Sequence, residues 1–292
     1  MKQILRVFPM KTTYSPTDDL AFFGAPPLPY FIPEHDEVHV SCTFTWDKAE
    51  CEWLAYQWEG VTDKPVKLGG PAYGSPAEDF KQGLYIKSNI IFTSRGCNNH
   101  CPWCCVPKLE GALKELPVCQ GNWIQDNNFM QTSQKHKEKV FEMLKTQKQI
   151  CFKGGLEADL VDDWFVDQLN GLYYTRGAKK ISRISEIWLA CDTDARINAF
   201  KRACGKLQRA GFTRDKIKCY VLSYGKDMDK DEARARAVYE SGAMPFMQLY
   251  RDFSNEKTEY SKNWNRFARM WQRPAAIKAH MEHGTDYHDF AT

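Results

Sequence analysis

The sequence predicts an α/β protein built on a parallel sheet whose strands follow one another in a barrel-like order. From about residue 89 onward, short apolar runs alternate with amphipathic helical segments. This alternation is typical of parallel strands joined by right-handed helical crossovers. Glycine or polar residues follow the apolar runs directly, and sites in such folds form at the carboxyl ends of the strands. These residues are therefore expected to meet at one edge of the sheet.

Five strands and four helices are predicted in this part of the chain. The strands are expected at 90–93, 150–152, 187–190, 218–222 and 245–250. Helices are expected at 133–147 and 162–172, followed by one that ends at Gly211 and one that ends near Gly242. Ser133 is suited to cap the first of these helices, because its hydroxyl can accept from a free backbone N–H.

Three regions are predicted along the 292 residues. Residues 1–83 form a small N-terminal α/β region, a reduced Rossmann-like unit with a strand at 38–44, a helix at 47–58 and a strand at 66–70. Residues 84–256 form the main strand-and-helix domain. Residues 257–292 form a C-terminal helical extension, read as one or two helices broken at Pro274, because proline interrupts a helix.

Charge and hydropathy narrow the class of protein only slightly. The chain has 40 basic and 37 acidic residues, a near balance that neither requires nor excludes a nucleic-acid partner. It contains no apolar run approaching the ~20 residues of a membrane-spanning helix. The N-terminal segment also lacks the apolar core of a secretory signal. A cytoplasmic protein without a membrane partner is therefore expected.

The cysteines carry the strongest functional signal. There are 11, and four of them fall within nine residues, at positions 97, 101, 104 and 105. In a protein expected to be intracellular, such a group is more typical of metal ligands than of disulfides. Six other cysteines are expected to be small buried core residues without a functional role, and these are Cys42, Cys51, Cys151, Cys191, Cys204 and Cys219. The role of Cys119, shortly after the group, stays open.

Cys97, Cys101 and Cys104 have the spacing C-x3-C-x2-C on a loop that follows the first predicted strand. This segment resembles the cluster motif of the radical S-adenosylmethionine superfamily, in which an aromatic residue precedes the third cysteine, as Trp103 does here. The resemblance implies a 4Fe–4S cluster held by the three thiolates, with one iron left open for S-adenosylmethionine. It also implies a partial (β/α)6 TIM-like barrel.

The same resemblance implies an enzyme with a defined type of chemistry. In the superfamily, an electron from the cluster cleaves S-adenosylmethionine, and the 5′-deoxyadenosyl radical that results abstracts hydrogen from a substrate carbon. A reductant such as flavodoxin or ferredoxin supplies that electron. The substrate is not written in the sequence, but a nucleobase or nucleotide, free or in a nucleic acid, is expected by analogy with related RNA-modifying enzymes.

Further cofactor contacts are expected at the ends of later strands. The run Gly154-Gly155-Leu156-Glu157 matches the glycine-rich stretch that lines the amino group of S-adenosylmethionine in the superfamily. Glycines let the backbone approach closely, and a carboxylate accepts from an ammonium group. Asp192 is a candidate for ribose or substrate binding, and Ser223 for ribose or the methionine carboxylate. Ordinary turn or cap roles are the alternative for both residues.

The loop also resembles those of methylthiotransferases and cobalamin-associated radical enzymes. The run Thr93–Cys97, with Val106-Pro107 and Glu110-Gly111 after the cysteines, carries this likeness. The N-terminal region, however, lacks the cobalamin signature and the three additional cysteines of those groups. Neither cobalamin nor a second cluster is therefore expected. The superfamily usually has six strands, so a sixth is expected to be short or to lie after Arg251.

Two alternatives use the same cysteines. In a zinc-stabilised nucleic-acid-binding protein without catalysis, Cys105 or Cys119 would complete a four-ligand site. In an electron-transfer protein, four cysteines would hold the cluster. In the C-terminal segment, arginines alternate with the aromatic residues Trp264, Phe267 and Trp271. This pattern is compatible with binding of a nucleic acid or with a helix packed on the main domain. A solvated tail is expected for His280, His283 and His288.

Overall fold

The computed structural model describes residues 2–74, 81–252 and 258–284. The chain divides into two compact units. The first contains residues 1–90 and 252–258, and the second contains residues 91–251 and 259–292. The C-terminal helices therefore belong to the same unit as the cysteine loop.

The first unit is a four-stranded parallel sheet with one long helix. Its elements are β1 (Ile4–Phe8), β2 (Ala21–Phe23), β3 (Glu37–Ser41), α1 (Lys48–Glu59) and β4 (Val66–Gly69). The strand order is β2-β1-β3-β4, and all three ladders are parallel. The predicted strand–helix–strand is confirmed as β3-α1-β4. The prediction missed β1 and β2, which lie among prolines and polar residues.

Ten strands belong to the second unit among the residues that the structure describes. They are β5 (Ile90–Ile91, shared with the first unit), β6 (Ser94–Arg95), β7 (Lys114–Glu115), β8 (Trp123–Ile124), β9 (Ile150–Glu157), β10 (Tyr173–Arg176), β11 (Lys179–Ser182), β12 (Ile184–Ala190), β13 (Ile217–Ser223) and β14 (Met244–Leu249). Six of them form one sheet in the order β5-β8-β9-β12-β13-β14, while β6-β7 and β10-β11 form separate pairs.

The main sheet follows the order of the chain from one edge to the other. The ladders from β8 to β14 are all parallel, and the end of β9 lies beside the end of β12, with Glu157 opposite Ala190. The parallel α/β class is confirmed. Of the two alternatives for the sixth strand, the short one is confirmed, because it is the two-residue β8 between the cysteine loop and the next helix. Its brevity hides it, since two residues carry no periodic signal.

The α-helices of this unit, all but the shortest, contribute buried side chains to its core. They are α2 (Val106–Leu109), α3 (Gln134–Leu144), α4 (Asp163–Gly171), α5 (Ile197–Arg209), α6 (Met228–Glu240), α7 (Lys262–Met270) and α8 (Pro274–His283). Ser133 caps α3 as predicted, because its hydroxyl accepts from the His136 backbone N–H at 3.2 Å. The break at Pro274 is also confirmed, because this proline opens α8, where no intrahelical N–H is needed.

The aromatic residues of the C-terminal segment belong to the core. Phe267 and Trp271 are almost fully buried, and Trp264 packs against the same cluster. These rings are therefore core packing and not a surface for nucleic acid. The prediction of a solvated tail is wrong for His280, which is 2% exposed and bonds Glu232 at 2.8 Å. His283 is exposed as expected, and His288 lies outside the described residues.

Six of the cysteines take the role of small core residues. Cys42, Cys51, Cys151, Cys191, Cys204 and Cys219 are all buried, as expected. Cys119 is exposed. Within the described ranges, no helix combines the length and apolar character needed to cross a membrane.

Candidate functional site

The cysteine loop is closed at its base by paired strands and an ion pair. Strands β6 and β7 run antiparallel on either side of it. The Arg95 guanidinium donates two bonds to the Glu110 carboxylate, at 2.7 and 2.6 Å. Gly96 has a φ of +80°, and a Cβ there would lie 2.3 Å from the Ala112 carbonyl oxygen. Only glycine fits this turn, so the base of the loop has one defined path.

The three predicted ligand thiols lie half-buried on this loop. The Cys97 Sγ accepts from the Asn99 backbone N–H at 3.4 Å and from the Asn128 side-chain amide at 3.6 Å. Donors aimed at sulfur stabilise a thiolate, the form in which cysteine binds metals. The Cys104 N–H donates to the Cys101 carbonyl at 3.0 Å, which turns the chain between the second and third cysteines.

The thiols influence one another electrostatically. Burial raises the pKa of Cys101, and the nearby Cys104 and Cys97 raise it further. A hydrogen bond from the Cys105 thiol lowers the pKa of Cys104, and the same bond raises the pKa of Cys105. Cys104 is thus the better thiolate of this adjacent pair, while Cys105 acts as its donor.

Glu157 is held against the cysteine loop by amide side chains. One of its carboxylate oxygens accepts from Asn99 at 3.0 Å, from Asn128 at 2.9 Å and from Gln131 at 3.1 Å. The other oxygen lies 3.9 Å from the Arg196 guanidinium. Glu157 therefore joins the end of β9 to the cysteine loop. Its predicted contact with S-adenosylmethionine stays a prediction.

The glycines before Glu157 are required by the packing of the sheet. A Cβ on Gly154 would lie 1.8 Å from the Asp126 carbonyl oxygen. Gly155 has a φ of +80° and faces the Tyr220 ring. Both glycines thus have a structural reason to be glycine, beside the cofactor role that the sequence suggests for them.

Asp192 lies next to the cysteine loop, after the end of β12. It interacts with the Trp103 side chain, and its charge also raises the pKa of Cys101. Trp103 in turn meets the Tyr224 ring edge to face, with ring centroids 6.4 Å apart. The structure therefore brings two more predicted site residues, Asp192 and Trp103, together with the cysteines.

We expect Asp192→Asn to change how stability depends on pH. Burial raises the pKa of Asp192 to about 6, although Arg234 opposes the shift. Since the folded state holds this proton more tightly, the contribution is present at pH 4 and is lost as pH rises through about 6. Wild-type protein should lose about 2.5 kcal/mol through this group between pH 4 and pH 7, and Asp192→Asn should not. Urea unfolding at both pH values measures the difference; equal losses in the two proteins would refute it.

Among the predicted site residues, Ser223 has the contacts that are most clearly structural. It is completely buried at the end of β13, and its hydroxyl accepts from the Gly225 N–H at 3.2 Å and interacts with Asp231. Asp231 bonds the buried Arg234 at 2.6 Å. These contacts give Ser223 a structural part in the strand end, and its cofactor contact stays a prediction.

Sequence reasoning missed the amide side chains that surround Cys97. They belong to Asn128 and Gln131, and no sequence motif marks either residue as part of a site. Both lie in or beside a short 3₁₀ turn, Phe129–Gln131, that brings them to the site. Asn127 also contributes, because its side-chain oxygen accepts from the Gly96 N–H at 3.1 Å. The adjacent pair Asn127-Asn128, shortly after β8, is the sequence feature that could have indicated these contacts.

Among the residues that the structure describes, no three His, Cys, Asp or Glu side chains converge as a group able to hold a metal ion. The predicted ligands Cys97, Cys101 and Cys104 share one loop, and the Cys97 sulfur accepts from two N–H groups there. Metal binding by these thiols stays a prediction.

In comparisons with models of known protein families and with curated proteins, nothing matches this chain.

Proposed function

We propose that this protein is a radical S-adenosylmethionine enzyme. The observation that carries the proposal is the three-thiol loop at Cys97, Cys101 and Cys104, tied by amides to Glu157 at the end of a neighbouring strand. The sequential order of the six strands supports a partial (β/α)6 barrel as the frame of this site. The proposed site lies at the carboxyl ends of the strands, where such folds carry their chemistry.

The residues around the loop would share the work of binding. Cys97, Cys101 and Cys104 would hold the 4Fe–4S cluster, and Asn128 would stabilise the first of these thiolates. Glu157 would accept from the amino group of S-adenosylmethionine at the end of β9, beside Gly154 and Gly155. Asp192 and Trp103 would contact the ribose or the substrate.

When bound, the cluster would supply the electron that cleaves S-adenosylmethionine to a 5′-deoxyadenosyl radical. The half-buried loop would limit the access of water to the reacting atoms. A flavodoxin or ferredoxin would serve as the reductant. We propose a nucleobase or nucleotide as the substrate, and the candidate that raises the yield of 5′-deoxyadenosine while itself changing mass identifies it.

Metal analysis of anaerobically prepared protein tests the proposal against a zinc protein. We expect a brown protein with about four irons and matching sulfide per chain. A colourless protein with one zinc would contradict the proposal. An iron–sulfur protein that fails to cleave S-adenosylmethionine with dithionite would contradict it as well and would indicate electron transfer.

We expect Glu157→Ala to weaken cofactor binding more than it lowers iron content. The substitution removes a carboxylate acceptor, and charge-assisted hydrogen bonds are worth about 1.5–3 kcal/mol, or roughly 10- to 150-fold in affinity. Equilibrium dialysis of S-adenosylmethionine with reconstituted protein measures the loss. Asp159→Ala is the matched control, since this nearby carboxylate pairs with Arg196 and Arg202. Unchanged affinity in Glu157→Ala would refute the assigned role.

A further inference from the structure

The hairpin formed by β10 and β11 carries only positive charges. Between Leu172 and Ser185 the chain carries four basic residues and no Asp or Glu; the basic residues are Arg176, Lys179, Lys180 and Arg183. The two strands pair only with each other, through four antiparallel residue pairs. Residues 173–180 are all exposed. The hairpin therefore presents its side chains to solvent along its whole length.

Two exposed tyrosines lie beside the cations of this hairpin. Tyr173 is 42% exposed and Tyr174 is 36% exposed. The Lys180 ammonium lies 3.8 Å from the centre of the Tyr173 ring, and the Arg183 guanidinium lies 5.5 Å from that of Tyr174. Across the described part of the chain, no carboxylate forms a salt bridge with the three cations of the hairpin tip, Arg176, Lys179 and Lys180. Their charge is available to an external anion.

The hairpin is fixed to the main body by Arg183. Its guanidinium donates to the Tyr173 carbonyl at 3.0 Å and to the Gln147 carbonyl at 2.7 Å. The second bond brings the turn before β9 beside the hairpin, and Lys148 in that turn is exposed. A fourth exposed cation therefore adjoins the surface.

This surface lies at the start of the strands, whereas the cysteine loop and Glu157 lie at their carboxyl ends. The hairpin leads into the first residue of β12, Ile184, which pairs with Ile150 at the start of β9. Glu157 and Ala190 mark the other ends of these strands. Six residues of strand span about 20 Å, so the hairpin is separate from the proposed catalytic site.

We propose that the β10–β11 hairpin binds single-stranded nucleic acid. Arg176, Lys179 and Lys180 would contact phosphates, and Tyr173 and Tyr174 would stack on bases. The combination favours this partner, because cations alone suit any polyanion, whereas cations beside exposed rings suit an anionic chain with flat bases. The inference stands independently of the radical chemistry proposed above.

Fluorescence anisotropy with a labelled oligonucleotide of about 20 nucleotides tests the proposal on the full-length, cluster-loaded protein. The charge-reversal variant Arg176→Glu/Lys179→Glu/Lys180→Glu should bind at least about tenfold more weakly, and its salt slope should fall by about 2. Tyr173→Ala/Tyr174→Ala should weaken binding about tenfold without changing that slope. The matched control Lys135→Glu/Lys139→Glu/Lys201→Glu makes the same change in net charge on the exposed faces of α3 and α5. It should bind like wild type.

Circular dichroism confirms that each variant folds, and the tyrosine variant provides a second test should the charge reversal fail to do so. Equal affinity of wild type and both hairpin variants would overturn the proposal. Binding to phosphatidylserine vesicles with no binding to the oligonucleotide would overturn it too. A Cys101→Ala protein that lacks iron should still bind the oligonucleotide, which separates failure of this inference from failure of the proposed function.

Discussion

Replacing Cys101 with Ala is expected to remove the iron–sulfur centre and reduce cleavage of S-adenosylmethionine to background. The same result is expected for Cys97→Ala and Cys104→Ala, because a cluster held by three thiolates has no spare protein ligand. All three side chains are half-buried on a loop, so their loss should leave the fold nearly unchanged. Iron and sulfide analysis after anaerobic reconstitution measures the first effect, and 5′-deoxyadenosine yield measures the second.

Cys105→Ala is the matched control for this series, since Cys105 adjoins Cys104 and is also half-buried. It removes a thiol that supports Cys104 by a hydrogen bond, so cleavage should fall but stay measurable. Complete loss of iron in Cys105→Ala would show that the ligand set had been chosen wrongly. Full iron content in Cys101→Ala would show the same.

Gly154→Ala is expected to destabilise the protein by about 4 kcal/mol or more. The added Cβ would lie 1.8 Å from the Asp126 carbonyl oxygen, a contact that only a shift of backbone can relieve. Asp126 cannot move freely, because its buried carboxylate accepts from the Thr93 N–H at 2.6 Å and from the Ser94 hydroxyl at 2.8 Å. Effects of this size are exceptional for one methyl group and mark a specific clash. Thermal unfolding of the metal-free protein should show a midpoint about 10 °C lower.

Gly171→Ala provides the comparison, because a Cβ at Gly171 meets no atom within 4 Å. This substitution at the end of α4 should change stability by less than about 1 kcal/mol. An unchanged midpoint in Gly154→Ala would mean that the strand can shift away from Asp126. That result would contradict the close packing of β9 against Asp126, which follows β8.

The periodic part of the fold could be predicted from the sequence. Strands β9, β12, β13 and β14 were located because each is an apolar run bounded by polar or glycine residues. Strand β8 could not be predicted, because it is defined by its pairing with a neighbouring strand and not by a pattern in its own two residues. Similarly, β1 and β2 depend on a sheet whose other members lie further along the chain.

For the candidate site, the sequence indicates residues that follow a spacing and gives no sign of those that depend on a tertiary contact. The three cysteines of the proposed site follow a short pattern in the sequence. The contact between Asn128 and Glu157 joins residues 29 positions apart. It depends on a short 3₁₀ turn, which has no periodic pattern in the sequence. His280 was misplaced for the same reason, because its partner Glu232 lies 48 positions away on another helix.

The most direct test of the central claim is mass spectrometry of 5′-deoxyadenosine after anaerobic reconstitution, reduction with dithionite and addition of S-adenosylmethionine. The wild-type protein should produce 5′-deoxyadenosine, and Cys101→Ala should produce none above the protein-free background. A wild-type protein that binds a full cluster and yet forms no 5′-deoxyadenosine would contradict the account.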